Sequence, residues 1–106
     1  MLRLQLTKIL KSNMKEILLI TTVGCEGCEI MQNSIKEALD STKKKDITFR
    51  ESNYKTLRQM EKKLYNELHL SDFPTTVFIK DGKVVRKEIG TKPAIVVLRW
   101  IDIDFK

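Results

Sequence analysis

Cys25 and Cys28, in the run Val23-Gly24-Cys25-Glu26-Gly27-Cys28, are the only two cysteines of the chain. Two residues at i and i+3 on a helix face the same side, roughly 5–6 Å apart, which is within reach of a disulfide. A structural cross-link closing so short a loop would add little, because its stabilising effect grows with loop length. The spacing therefore points to thiol–disulfide exchange or to capture of a soft metal. Exchange needs one sulfur reachable as a thiolate and a second that resolves the mixed disulfide. A helix N-terminus favours a negative sulfur through its free N–H groups and its dipole, so Cys25 is the candidate nucleophile. Cys28, one turn deeper, is the candidate resolving thiol. Glu26 and Glu29 oppose a thiolate by like charge, so Cys25 is expected to ionise less readily than in a neutral motif.

Sulfurs at a helix start need a strand behind them and a helix ahead. Residues 16–23 are a near-continuous apolar run rich in β-branched side chains, the pattern of a strand covered on both faces. After Cys28 come Met31, Ile35, Ala38 and Leu39, with Ile30 alongside, at helical spacing. Cys28 lies on that stripe and is expected to point inward, with Cys25 near the surface. Residues 41–46 read as a charged loop. Ile47 and Phe49 then alternate as a short strand, and Leu57, Met60, Leu64 and Leu68 predict a second amphipathic helix. This alternating order favours crossover connections and parallel pairing.

From residue 75 the period changes. Residues 75–79 are β-branched and aromatic, Asp81-Gly82 follows, and Val84, Val85 and Ile89 continue beyond it, which predicts a hairpin. Gly90 ends that hairpin. Thr91 can cap a last helix with Pro93 in its first turn. Residues 94–101 are β-branched, and Ile101, Ile103 and Phe105 alternate, so the segment also permits a strand; a helix is expected. At the other end Leu2, Leu4 and Leu6 alternate as a short strand, and Ile9 and Leu10 fit one or two helical turns.

The whole chain, residues 1–106, is expected to form one domain. Its composition, 42% hydrophobic and 32% charged, is that of an ordinary globular protein. The apolar run Ile17-Leu18-Leu19-Ile20 is far too short to cross a bilayer, so no membrane association is expected. Arg3, Lys8, Lys11 and Lys15 precede the first strand without an uninterrupted apolar block. A cytoplasmic location is the expectation, and there a Cys-x-x-Cys pair is redox-active or metal-binding rather than a permanent cross-link. The net charge of +6 comes from scattered lysines with one cluster at Lys43-Lys44-Lys45. No aromatic residues interleave a basic stripe, so a solvated surface is expected rather than a nucleic-acid partner. His69 reads as a surface linker residue, Met31 and Met60 as core, Trp100 as packing of the last helix and Asp81 as turn chemistry.

The sequence of strand, Cys-x-x-Cys, helix, strand, helix, Phe73-Pro74-Thr75, hairpin and helix resembles the thioredoxin superfamily over about residues 16–101. The resemblance implies a three-layer α/β/α sandwich with a mixed sheet of four to five strands. It also implies a cis peptide before Pro74, with the Phe73–Pro74 turn facing the cysteines. Phe73 and Thr75, flanking Pro74, would then contact an extended substrate segment by strand addition. The chain departs from the family in three places. Gly24 stands where thioredoxin has a tryptophan, Glu26-Gly27 replaces a Gly-Pro interior, and Leu19 matches a buried aspartate that relays protons. Gly27 therefore has two readings of equal standing, a retuned redox poise or an easier turn into the helix.

Three functions follow as expectations. The first is a thiol–disulfide oxidoreductase cycling Cys25 and Cys28 on a protein or small-molecule disulfide, with no metal or organic cofactor and a separate electron donor. The second is a soft-metal carrier, since two thiolates suit Cu(I) and Gly24-Cys25-Glu26-Gly27-Cys28 also looks like the loop of small copper-chaperone domains. The third is a thioredoxin-like interaction module with little turnover.

Overall fold

Ile17, Leu18, Leu19 and Ile20 have no solvent exposure, and the rest of the molecule is arranged to keep water from both faces of that strand. The computed structural model describes residues 14–106; the strand and helical turns expected over residues 2–10 lie outside them. Along the chain come β1 (Lys15–Thr21), α1 (Glu26–Ser41), β2 (Ile47–Asn53), α2 (Tyr54–Met60) and α3 (Lys62–Leu68). They are followed by β3 (Thr75–Lys80), β4 (Lys83–Ile89) and α4 (Ala94–Asp104).

The described strands form one sheet in the order β2-β1-β3-β4. β1 pairs with β2 in parallel and with β3 antiparallel, and β3 pairs antiparallel with β4. Alternation along β1 sends Ile17 and Leu19 to one face and Leu18 and Ile20 to the other. The first face packs on Met31, Ile35 and Ala38 of α1, and on Val97, Trp100 and Ile101 of α4. The second packs on Leu57 of α2 and Leu68 of α3. The result is the expected three-layer α/β/α sandwich, with four strands among the described residues.

Asp81 and Gly82 turn the hairpin with φ of 54° and 82°, the paired left-handed conformations that a two-residue turn requires. The β3–β4 register then slips: Phe78 pairs with Arg86 but Ile79 with Val84, which leaves Val85 as the extra residue of a bulge.

The helix expected from Leu57 to Leu68 is two helices. The chain breaks at Glu61, where φ is −137° and ψ is 63°. The cause is a tertiary ion pair. Arg50 of β2 donates to both carboxylate oxygens of Glu61 at 2.7 and 2.8 Å, and its Nε donates to Glu16 of β1 at 3.0 Å. The break carries Met60 out to 76% exposure, so Met60 is not core. Ile30 is likewise exposed on the outer side of α1.

The fork from Arg50 holds the Glu61 carboxyl below its ordinary value of 4.5, while Glu61 first and Glu16 next raise the Arg50 guanidinium, which stays charged throughout. A carboxylate with a depressed folded pKa contributes stability above its unfolded value and loses it as pH falls through the folded one. Arg50→Ala is expected to cost about 1–2 kcal/mol at pH 7, a modest figure because solvent screens the half-exposed pair. Glu61→Gln should flatten the fall in the urea midpoint below pH about 4.5 relative to wild type. An acid limb that is unchanged in Glu61→Gln would show that the pair contributes nothing.

Helix, not strand, is the outcome at residues 94–104. Val97, Trp100, Ile101 and Phe105 are buried and Ile103 is 53% exposed, a helical stripe and not an alternation. Thr91 does not cap α4. Pro93 occupies the cap position and no side chain bonds the first turn. Trp100 meets Phe78 edge to face at 6.0 Å, and Phe105 stacks on Phe78 at 5.1 Å. Arg86 lies over the Trp100 ring and pairs with Asp104 at 2.6 Å, fastening β4 to α4. No described helix is long and apolar enough to cross a membrane.

Candidate active site

β1 ends at Thr21, and Gly24 turns the chain with φ of 71°, a left-handed conformation that glycine adopts without penalty. That turn delivers Cys25 to the N-cap of α1 in extended backbone, φ −97° and ψ 97°. Its Sγ accepts the Cys28 N–H at 3.0 Å, so the sulfur occupies the place where a serine or aspartate oxygen would cap a helix. Cys25 and Cys28 are joined as a disulfide with Cα atoms 5.3 Å apart. Cys28 is 6% exposed and Cys25 is half-buried, the inward and outward placement expected from the stripe. Glu26 and Glu29 lie exposed in the first turn.

The Phe73–Pro74 peptide is cis, and Pro74 is buried against the cysteine loop. A Cβ on Gly27 would stand 3.2 Å from Pro74 Cδ and 3.2 Å from Thr91 Cγ2. Gly27 is thus explained by neither of its two sequence readings alone. It admits the proline loop on one side and the segment after Gly90 on the other. The spacing of the motif gave no signal of this, because both partners are distant in sequence. Thr91, expected as a helix cap, serves instead as a wall of this contact.

Short-range bonds hold the proline loop. The Gly90 N–H donates to the Pro74 carbonyl at 2.8 Å, and the Thr75 hydroxyl donates to the Asp72 carbonyl at 2.6 Å. The Asp72 carboxylate accepts the Phe73 N–H at 2.8 Å, and the Phe73 ring rests on Tyr54 at 5.2 Å. Thr75 is fully buried, so its side chain supports the loop from within. Beyond Gly90, the Lys92 N–H donates to Met31 Sδ at 3.3 Å, tying this segment to α1. Met31 is core, as expected.

Leu19 is fully buried in the core on the α1 face of the sheet and carries no ionisable group. Its neighbours across the sheet are Glu51 of β2 and Thr76 of β3. Glu51 is exposed and accepts from Gln32 Nε2 at 2.7 Å. His69 is exposed at the C-cap of α3, the surface linker position expected of it. Among the described residues no group of three or more His, Cys, Asp or Glu side chains could hold a metal ion. A groove of about 710 Å³ lies by the hairpin turn, lined in part by Met60, Leu64 and Val84, and the cysteines do not line it.

A parallel β1–β2 pair, two antiparallel pairs, a dicysteine at the start of α1 and a cis-proline loop packed onto it together define a thioredoxin fold. Solved structures agree. Thioredoxin from Aeropyrum pernix superposes with a TM-score of 0.68 at 17% identity, covering 94% of this chain and 82% of that one. Trxlp from Edwardsiella tarda gives 0.67 at 15% identity, covering 92% and 90%. StoA from Bacillus subtilis gives 0.61 at 16% identity, covering 84% and 83%. No protein-family model matches the chain, and no curated protein matches it in sequence. At these identities the likeness establishes the fold, and the chemistry rests on the residues themselves.

Proposed function

We propose that the protein is a thiol–disulfide oxidoreductase that cycles Cys25 and Cys28 between dithiol and disulfide. The observation that carries this reading is the Cys25 sulfur at the N-cap of α1, accepting the Cys28 N–H, with Cys28 buried one turn behind it. In the reduced protein the Cys25 thiolate attacks one sulfur of a substrate disulfide and the other leaves as a thiolate that takes up a proton. Cys28 then gives up its proton and attacks the Cys25 sulfur of the mixed disulfide. The protein disulfide forms and the second substrate thiol departs. Two electrons and two protons pass from protein to substrate, and an electron donor returns them in the next cycle.

The substrate in this reading is an extended segment carrying a disulfide. It pairs with the backbone at Phe73, beside Pro74, by strand addition. The Asp72 carboxylate that caps the Phe73 N–H yields its place to a substrate carbonyl. Thr75 contributes by holding the loop, and Glu26 and Glu29 favour substrates that are not acidic near the cystine. A cytoplasmic, reducing setting belongs to the same reading.

The test is titration against a dithiol redox buffer with alkylation of free thiols as the readout, repeated with copper or zinc present. A single reversible two-electron transition is expected. Metal protection of the thiols without ready cycling would instead make the protein a soft-metal carrier. Neither behaviour would leave an interaction module.

A further inference from the structure

Met31 is fully buried in the core, one turn past Cys28 on the same stripe of α1. Leucine would fill such a place with much the same volume. What methionine adds is a sulfur with lone pairs, a weak acceptor on an unbranched and adaptable chain. That sulfur is in use: Met31 Sδ accepts the Lys92 N–H at 3.3 Å, from 61 residues further along the chain. Lys92 belongs to the short segment, residues 90–92, that leads from β4 toward α4. The same segment borders the cysteine site. The Gly90 N–H donates to the Pro74 carbonyl at 2.8 Å. Thr91 Cγ2 lies 3.2 Å from where a Cβ on Gly27 would stand, between the two cysteines in sequence, and Pro74 Cδ lies at the same distance. Consecutive residues thus reach the proline loop, the cysteine loop and the helix that begins there. The Gly90 bond is backbone to backbone, whereas the Lys92 bond depends on which side chain stands at position 31.

Resting on the oxidoreductase reading, we propose that Met31 is a positioning residue for the wall on which substrate docks. Its thioether holds residues 90–92 in place and, through the Gly90–Pro74 bond, steadies the proline loop where an extended segment pairs with the Phe73 backbone. The sulfur touches no substrate and takes no part in electron transfer. It sets the wall before the substrate arrives, so less ordering is left for binding to accomplish. Without an acceptor at position 31 the Lys92 N–H turns to water and the segment moves with it. A substrate must then order the wall as it docks. That cost falls on KM and not on attack by Cys25, whose sulfur is held by the Cys28 N–H within the helix start.

Norleucine makes the sharpest test, since it has the shape of methionine without the sulfur. Met14 and Met60 are exposed, so a chain carrying Met14→Leu and Met60→Leu keeps Met31 as its one methionine beyond Met1. Norleucine or selenomethionine incorporated into that chain then changes the core at position 31 alone. With norleucine, KM for a peptide disulfide is expected to rise about three- to fivefold, the scale of one neutral hydrogen bond. The kcat, and the reduction of a small aromatic disulfide that does not span the wall, should be unchanged. Selenomethionine, whose selenium still accepts, should restore the KM of the methionine protein. Met31→Leu in the otherwise native chain should give the same split as norleucine. Amide exchange read by NMR should show the Lys92 N–H exchanging faster in the norleucine protein. An unmoved KM or an unmoved Lys92 amide would overturn the proposal. So would a fall in kcat and in small-disulfide reduction alongside the rise in KM, the mark of a core that is merely loosened. A wild type that fails to reduce even the small disulfide defeats the oxidoreductase reading instead. Binding of the same peptide, followed by fluorescence anisotropy, then decides whether Met31 holds the wall.

Discussion

Cys28→Ser is expected to accumulate a stable mixed disulfide with its substrate, and Cys25→Ser to lose disulfide reduction by at least about a thousandfold. The asymmetry follows from geometry. Cys25 is half-buried with its sulfur at the open end of α1, whereas Cys28 is 6% exposed beneath it. A substrate disulfide therefore meets Cys25 first, and only Cys28 can reach the adduct from behind. Removing Cys28 leaves the first step intact and blocks the second. Non-reducing electrophoresis after incubation with a disulfide-bonded protein reads the trapped adduct, and a coupled reductase assay reads turnover. Adducts that form on Cys25→Ser but not on Cys28→Ser would reverse the two roles.

Phe105→Ala is expected to destabilise the protein by about 3–5 kcal/mol, the largest effect anticipated for a residue outside the site. Phe105 is fully buried just past the end of α4 and stacks on Phe78, which meets Trp100 on its other flank. Removing the ring opens a cavity where the sheet and α4 meet, and the aromatic contacts are lost with it. Urea denaturation measures the change, and the midpoint should fall by more than about 1 M for a domain of this size. Ile103→Ala is the control. With Ile103 53% exposed, its removal should cost less than about 0.5 kcal/mol. Equal losses at the two positions would mean that they share a buried face, as a strand with alternating residues would require.

How much of this could be read from the chain depends on how local each cause is. The central strand was legible because four consecutive apolar residues admit few other placements. The hairpin was legible because Asp81-Gly82 supplies both left-handed conformations itself. Cys28 inward and Cys25 outward followed from helical spacing alone. The break at Glu61 was not legible, since the apolar period runs straight through it and its cause is Arg50 on another element. Met60 fell with it: at helical spacing it belonged to the core, and the broken helix turned it to solvent. The last helix sat between two periodicities, and only the core waiting on the α1 side of the sheet decides between them. The site was half legible. The motif and the proline loop stood in the sequence, but the reason for Gly27 exists only where separated segments meet.

The bulge at Val85 bears on how the molecule behaves in a crowd. β4 is the outer strand of the sheet among the described residues, and an outer strand offers open backbone groups to any passing extended chain. Here the ladder is interrupted by the extra residue, and the exposed Lys83 and Lys87 lie on the same short strand. A second copy approaching edge to edge would find its register broken and would meet its own positive charge. Neither another extended chain nor a second copy finds a continuous ladder to zip onto along this margin. What would otherwise be a site of aggregation is a guarded border.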